Sequence, residues 1–142
     1  MKKFYRVCLD GNFERGIYRE SSKELEKKLD SLGLFSTSNT RPHYLDDGKL
    51  SKICEKIEGC FFCFSSLKML YDWFPIETLL ELKEWNISIF EFEADEGAIY
   101  EGEKQTLILK NSQRNAVDAT EQILGKKQKF IDSIENFASI SL

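Results

Sequence analysis

The residues best suited to chemistry gather in one short stretch, NTRPHYLDDGKL, which runs from Asn39 to Leu50. It contains His43, the single histidine of the chain, together with Arg41 and Tyr44. The planar fork of arginine suits phosphate and carboxylate groups, and histidine changes its charge near neutral pH. Because no second histidine and no nucleophile motif accompany His43, the stretch favours holding an anion over moving a proton. A polar turn without a ligand is the alternative.

Further candidate contacts follow from a charged residue in an otherwise apolar strand. Arg6 interrupts KFYRVCL, and a charge on a central strand must find a partner or face a cleft. The alternative is an edge strand with Arg6 in solvent. Ser65 and Ser66 stand where a helix begins, so they either cap it or receive an anion there. The predicted ligand contacts are Arg6, Tyr18, Arg41, His43, Tyr44, Ser65, Ser66 and Gln105.

The four cysteines do not form a complete metal-binding pattern. Cys60 and Cys63 have the two-residue gap of a zinc knuckle. However, FFCF is typical of a buried strand, in which positions three apart face opposite sides. No second CxxC or HxxxH pair supplies the remaining ligands of a structural zinc site. We therefore expect reduced core cysteines, with no metal and no cofactor.

Sequence signatures of catalysis are missing from the chain. GxxxxGK[ST], GxGxxG, HExxH and GxSxG do not occur. Glu91 and Glu93 belong to an acidic ribbon that could form a paired-carboxylate site. Yet simple strand alternation places both on one face, which is typical of a solvated surface. The sequence favours a protein that is not an enzyme.

The composition is that of a single globular domain of 142 residues, with 42% hydrophobic and 31% charged side chains. No apolar run approaches the roughly 20 residues that a membrane helix requires, and MKKFYRVCLDG lacks a secretory apolar region. We therefore expect a cytoplasmic protein. The net charge of −4 argues against general nucleic-acid binding. Four of the five arginines nevertheless lie in the first 41 residues, where a local anion site could form.

Hydrophobic periodicity predicts an α+β fold, with a mainly antiparallel or mixed sheet, helices packed against it and two C-terminal helices. We expect one domain over residues 1–142, with a core at 1–110 and a helical extension at 111–142. The predicted strands are residues 3–9, 61–64, 87–95 and 105–110. The predicted helices are residues 21–32, 49–57, 67–74, 75–85, 112–124 and 126–137. Residues 35–48 form the longest irregular segment, and such loops are often functional.

Several stretches together resemble small proteins encoded by phages and prophages. They are Phe4-Tyr5-Arg6-Val7, Gly16-Ile17-Tyr18, Phe64 to Phe74, Ile89 to Phe92 and Gly102 to Gln105, within residues 3–109. The order also resembles, more distantly, the ADP-ribosyltransferase fold. That resemblance implies a nucleotide on Arg6, a ribose on Ser65 or Ser66, and a catalytic position at Glu103 or Gln105. Glutamine stands where a transferase carries its carboxylate.

Three functions remain open at this point. The first is a non-catalytic phage-type accessory protein that binds a small nucleotide-derived ligand, of ADP-ribose or cyclic-nucleotide type, and sequesters a host immune signal. The second is a mono-ADP-ribosyltransferase that modifies a host protein. The third is a protein–protein inhibitor of a host defence factor, with an aromatic patch around Trp73 and Phe74. The first function is compatible with a homo-oligomer in which two chains share one pocket.

Overall fold

The fold is organised around its N-terminal strand, β1 (Phe4–Leu9), which is buried on both faces. A computed structural model describes residues 2–17, 22–34, 60–125 and 134 of the chain. Side chains of a strand alternate between its faces. Val7 and Leu9 pack in the core that contains the helices, whereas Phe4 packs in a second core between two sheets. The strand predicted at residues 3–9 is confirmed.

Within the described ranges the chain forms seven strands and three α-helices, joined by short helical turns. In chain order they are β1 (Phe4–Leu9), β2 (Asn12–Gly16), α1 (Lys23–Ser31), β3 (Cys60–Cys63), α2 (Leu67–Trp73), α3 (Ile76–Leu82), a 3₁₀ turn (Lys83–Trp85), β4 (Ile87–Ala94), a 3₁₀ turn (Glu96–Ala98), β5 (Ile99–Glu101), β6 (Thr106–Leu109), β7 (Gln113–Asp118) and a π turn (Glu121–Gly125). The predicted α+β class is confirmed.

The strands form two antiparallel sheets that meet at one point. The first sheet has the order β2-β1-β4-β7 and the second has the order β3-β6-β5. Tyr5 in β1 and Phe64, directly after β3, exchange two backbone hydrogen bonds of 2.8 Å. The C-terminal end of β1 pairs with β2, where Cys8 lies opposite Gly16. The two sheets therefore curl around a shared interior.

Helices cover the outer face of the first sheet. Their apolar side chains and those of β1 and β4 form one core, which includes Val7, Leu9, Leu25, Leu29, Leu70, Leu79, Leu82, Ile87 and Ile89. Two serine caps set where helices begin: Ser22 accepts from the Leu25 amide at 3.2 Å and Ser66 accepts from the Met69 amide at 3.1 Å. Ser21 and Glu24 have capping-box spacing in the sequence, so the α1 cap lies one residue later than that spacing predicts.

Aromatic rings fill the interior between the sheets. Phe13 from β2 is edge-on to Phe61, Phe90 and Phe92, with ring centroids 5.4, 5.7 and 5.0 Å away. Edge-to-face pairs at such distances are favourable beyond the apolar area that they bury. Phe4 stacks on Phe92 at 5.8 Å. This packing fixes how the β1–β2 hairpin lies against β3.

The helix predicted from Ser112 to Leu124 is wrong over most of its length. Residues Gln113–Asp118 are strand β7, which pairs with β4, and only Glu121–Gly125 are helical. Asn111 and Asn115 have φ values of 68° and 55°, which place a turn before β7 and a bulge within it. The free edge of β4 supplies backbone partners, and such tertiary pairing overrides helix propensity. The core sheet thus extends past residue 110, where we expected it to end.

Smaller differences concern the loops. The short strand β5, between β4 and β6, is not among the predicted strands. The helix predicted at residues 75–85 begins one residue later, with Pro75 as its N-cap, and it passes into a 3₁₀ turn ending at Trp85. The predicted helices at 49–57 and 126–137 lie outside the described residues, apart from Ile134.

Candidate functional site

Arg6 is buried in the interior and hydrogen-bonded there, with 6% of its surface exposed. Its Nε donates to the carbonyl of Phe13 at 2.9 Å and its Nη1 donates to the carbonyl of Phe62 at 2.7 Å. The guanidinium also lies 4.5 Å from the centre of the Phe61 ring. Arg6 therefore joins the β1–β2 hairpin to β3. The alternative interpretation, an edge strand with Arg6 in solvent, is wrong.

The other predicted contacts that the structure describes are not assembled into one site. Ser66 caps α2, and the Ser65 hydroxyl donates to the sulfur of Met69 at 3.0 Å. Gln105 is 2% exposed, and its backbone carbonyl accepts a hydrogen bond from the Gly102 amide in the turn before β6. No hydrogen bond joins Arg6, Ser65, Ser66 and Gln105 to one another. Tyr18, Arg41, His43 and Tyr44 lie outside the described residues.

The cysteines that the structure describes are buried thiols that take part in no disulfide there. Cys60 packs with Leu107, whereas Cys63 packs in the interior with Phe4, so the two face different clusters as expected. Burial raises the pKa of the Cys8 thiol to about 12 and also raises the pKa of Cys63. Protonated, buried thiols are poor nucleophiles. No group of three or more potential metal ligands occurs in the described part of the chain.

The acidic ribbon on β4 is a solvated ion-pair network. Lys3 lies 3.6 Å from a Glu91 oxygen and 3.3 Å from a Glu93 oxygen. The hydrogen bond from Lys3 lowers the pKa of Glu93, and Asn115 donates a second bond to that carboxylate at 3.3 Å. Both glutamates keep part of their surface in water. The predicted solvated face is confirmed here.

A polar cleft opens at the end of the first sheet, where the sequence suggested no site. Its volume is about 630 Å³, within the range of small-molecule pockets. Three segments meet there: the β1–β2 turn, the 3₁₀ turn with the start of β4, and the end of β7 with the residues after it. The lining residues are Asp10, Gly11, Lys83, Asn86, Ile87, Ser88, Asp118, Thr120, Glu121 and Gln122. We call this feature the polar cleft.

Two tight turns hold one side of the polar cleft together. Asp10 and Asn86 both adopt left-handed backbone conformations, with φ of 53° and 60°. The Asp10 amide donates to the Asn86 carbonyl at 2.8 Å. These turns lie side by side because the last residue of β1, Leu9, pairs with the first residue of β4, Ile87.

The opposite side depends on a chain of hydrogen bonds around Thr120. The Thr120 hydroxyl accepts from the Ile89 amide at 2.8 Å and donates to Asp118 Oδ1 at 2.5 Å. The Thr120 amide donates to the same Asp118 oxygen at 3.0 Å. One oxygen of Asp118 is thus fixed by Thr120. No hydrogen bond to the other oxygen occurs in the described part of the structure.

Ser88 is the most informative residue of the polar cleft. It is 7% exposed, yet its hydroxyl forms no hydrogen bond with any residue that the structure describes. Its neighbours Ile87 and Ile89 pack with the helices, so strand alternation turns Ser88 to the other face, beside its cross-strand partner Cys8. Among the described residues the buried side-chain polar atom without a partner is Gln113 Oε1, so the Ser88 hydroxyl keeps its contact with solvent in the cleft. The hydroxyl is therefore available to a ligand in the cleft.

Two ion pairs at the polar cleft neutralise most of its charge. Lys83 Nζ lies 2.7 Å from a Glu121 oxygen, and Asp10 is paired with Arg15. Asp118 has no ion-pair partner in the described ranges. The cleft therefore offers one unpaired carboxylate, one free hydroxyl and the side-chain amides of Asn86 and Gln122.

The residues of the polar cleft were not predicted from the sequence. Treating residues 112–124 as a helix placed Asp118 and Thr120 on a helix surface, away from β4. The DxT spacing of Asp118 and Thr120 is a local signal, since aspartate and threonine often bond to backbone two residues on. Ser88 carries no such signal, because its burial depends on the pairing of β1, β4 and β7.

Comparison with known proteins identifies a protein family but no solved structure that matches this chain. The family model described as Bacteriophage T4 Y00F protein matches residues 1–123. No curated protein and no solved structure matches the chain significantly, so the expected likeness to ADP-ribosyltransferases finds no support there. Among the described helices, none is both long and apolar enough to cross a membrane. The match spans most of the chain, including every residue of the polar cleft, and the chain therefore belongs to the bacteriophage T4 Y00F protein family.

Proposed function

We propose that this phage protein is a non-catalytic binding protein that holds a small nucleotide-derived ligand in the polar cleft. It acts in the host cytoplasm, where it sequesters a signal molecule of ADP-ribose or cyclic-nucleotide type. The observation that carries the proposal is a cleft of about 630 Å³ that brings the Ser88 hydroxyl near Asp118, a carboxylate with one oxygen left unbonded by the described residues. A ligand that bonds to both groups would replace the water that contacts them.

The polar groups of the cleft suit a nucleoside. Asn86 and Gln122 carry amides that both donate and accept hydrogen bonds, as the edge of a base requires. Asp118 offers an acceptor for sugar hydroxyls. Lys83 stands on the cleft wall as a cation, although Glu121 shares its charge. The stretch from Asn39 to Leu50, with Arg41 and His43, remains our proposed source of further contacts to phosphate.

Sequestration without catalysis is supported by the state of the reactive side chains. The thiols of Cys8 and Cys63 are buried and protonated, and neither lines the polar cleft. Arg6 is buried and donates to two backbone carbonyls of the protein. Among the described residues nothing favours the transferase alternative, because Gln105 is buried and Glu103 lies on an exposed turn.

Inhibition by protein contact is a second candidate, supported by one observation. Strand β7 is the last strand of its sheet and is exposed along most of its length, with Val117 55% exposed. Such an edge can pair with a strand of another protein. The aromatic patch expected around Trp73 and Phe74 is less suitable, because Phe74 is buried against Phe64.

Thermal denaturation with a ligand panel tests the proposal. NAD, ADP-ribose and 3′,5′-cyclic nucleotides are added separately, and a ligand at one hundred times its Kd stabilises the fold by about 2.7 kcal/mol. Heating should then release the ligand unchanged. The Ser88→Ala variant should lose most of the shift, whereas Ser31→Ala, on the exposed face of α1, should keep it. If no nucleotide raises the Tm and a host protein is captured instead, the edge-strand candidate replaces this one.

A further inference from the structure

We infer that Asp118 and Ser88 together recognise two neighbouring hydroxyl groups of a ribose. The ligand of the polar cleft is therefore a ribonucleotide derivative with its 2′ and 3′ hydroxyls both free. This inference rests on the proposed function and specifies the part of the ligand that the cleft reads.

The carboxylate of Asp118, which accepts hydrogen bonds from the ligand, is positioned by the protein before any ligand binds. Asp118 Oδ1 accepts from both the amide and the hydroxyl of Thr120, at 3.0 and 2.5 Å. Thr120 is itself held by the Ile89 amide at 2.8 Å. With one oxygen fixed in this way, Oδ2 keeps its lone pairs for a ligand. A carboxylate that accepts from ribose hydroxyls is a recurrent solution to nucleotide recognition.

Ser88 supplies the second group from the same face of the sheet. In the register of β4 and β7, Phe90 pairs with Asp118, and Ser88 lies two residues before Phe90. Ser88 and Asp118 are therefore diagonal neighbours, which in antiparallel sheets are separated by about 7–8 Å. A sugar edge fits between them. A serine hydroxyl can both donate and accept, so it matches the second hydroxyl of a diol in either direction.

The charges of the cleft explain why a sugar binds there rather than a phosphate. Lys83 is paired with Glu121 and Asp10 is paired with Arg15, which leaves Asp118 as the unpaired charge of the lining. A carboxylate attracts hydroxyl donors and repels phosphate oxygens. The phosphates of the ligand must therefore lie away from Asp118.

This arrangement separates the two ligand types of the proposed function. ADP-ribose carries free neighbouring hydroxyls on its ribose rings. A 3′,5′-cyclic nucleotide has esterified its 3′ oxygen and presents only the 2′ hydroxyl. The cleft should consequently prefer ADP-ribose and simple ribonucleosides over cyclic nucleotides.

Calorimetric titration with matched ligands tests the inference. Ribonucleosides with each of the four common bases, their 2′-deoxy counterparts, ADP-ribose and 3′,5′-cyclic AMP are titrated into the full-length protein. We expect the deoxy and cyclic compounds to bind at least tenfold more weakly, which corresponds to about 1.4 kcal/mol. Asp118→Asn should abolish this discrimination while keeping the oxygen that accepts from Thr120. Asp30→Asn, on the exposed surface of α1, should retain it.

The outcomes of the titration distinguish the proposed nucleotide binding from the more specific recognition of the ribose hydroxyls. If ribo and deoxy ligands bind equally and Ser88→Ala weakens both, the cleft binds nucleosides without reading the diol, and the inference falls alone. If no compound binds the wild-type protein, the inference and the proposed function fall together. Circular dichroism of Asp118→Asn and Ser88→Ala verifies that both variants are folded.

Discussion

Arg6 and Asp118 are charged residues on the same face of one sheet, but their surroundings differ in a decisive way. Arg6 lies between the sheets, where two carbonyls and an aromatic ring accept its guanidinium. Asp118 lies at the open end, where Thr120 binds one carboxylate oxygen and leaves the other to the cleft. Hydrogen bonds to two backbone carbonyls in the interior mark a structural charge, whereas a carboxylate that is bonded at one oxygen and lines a cleft beside a serine hydroxyl marks a site for a ligand.

The largest expected effect comes from removing the structural charge. In Arg6→Met the carbonyls of Phe13 and Phe62 lose their donor, and each unsatisfied carbonyl costs about 1–3 kcal/mol. The free energy of unfolding, measured by urea denaturation, should fall by about 3 kcal/mol or more. Arg15→Met removes a half-exposed ion pair and should cost less than about 1 kcal/mol. Equal losses in the two variants would contradict the structural role of Arg6.

Gly16 tests how tightly the surroundings of Arg6 are packed. A Cβ at position 16 would lie 3.0 Å from Arg6 Nη2, so Gly16→Ala forces the guanidinium to move. We expect a loss of about 1–3 kcal/mol in the free energy of unfolding. Gly97→Ala is the matched control, because a Cβ there meets nothing within 4 Å. Its Tm should stay near that of the wild type, and a stable Gly16→Ala would show that Arg6 has room.

The Cys8 thiol, between Arg6 and the polar cleft, makes stability depend on pH. Burial raises its pKa from 9.0 to about 12, so the unfolded chain loses this proton first as pH rises. Stability should therefore fall between pH 9 and 12, and Cys8 should contribute about 1.4 kcal/mol of loss at pH 10 relative to pH 7. Urea denaturation at both pH values should show a smaller loss for Cys8→Ala. An identical pH dependence would place the thiol in contact with water.

The smallest expected effect on stability is at the cleft. In Ser88→Ala no internal hydrogen bond is lost, so the free energy of unfolding should change by less than about 0.5 kcal/mol. Ser66→Ala removes the cap of α2 and should cost about 1 kcal/mol. Parallel urea denaturation of the two variants measures the contrast. A large loss in Ser88→Ala would mean that its hydroxyl is structural, like Arg6.

The parts of the fold that could be predicted are those with strong local periodicity. β1, β3, β4 and α1 to α3 follow from alternating or helical spacing of apolar residues within each segment. β7 could not be predicted in this way, because Gln113, Asn115 and Val117 become a strand only by pairing with β4. The candidate site has the same difficulty, since Asp118 is the last residue of this strand and Thr120 lies two residues later.

The sequence by itself determined the α+β class, the caps within one residue, the opposite orientation of Cys60 and Cys63, and the membership in a phage protein family. Only the tertiary structure decided that Arg6 is bonded internally and that Ser88 and Asp118 share a cleft. The physical reason is that periodicity reports how one segment divides between apolar and polar faces. The partners of a buried polar group come from strands distant in the chain, and their register is set by packing between sheets.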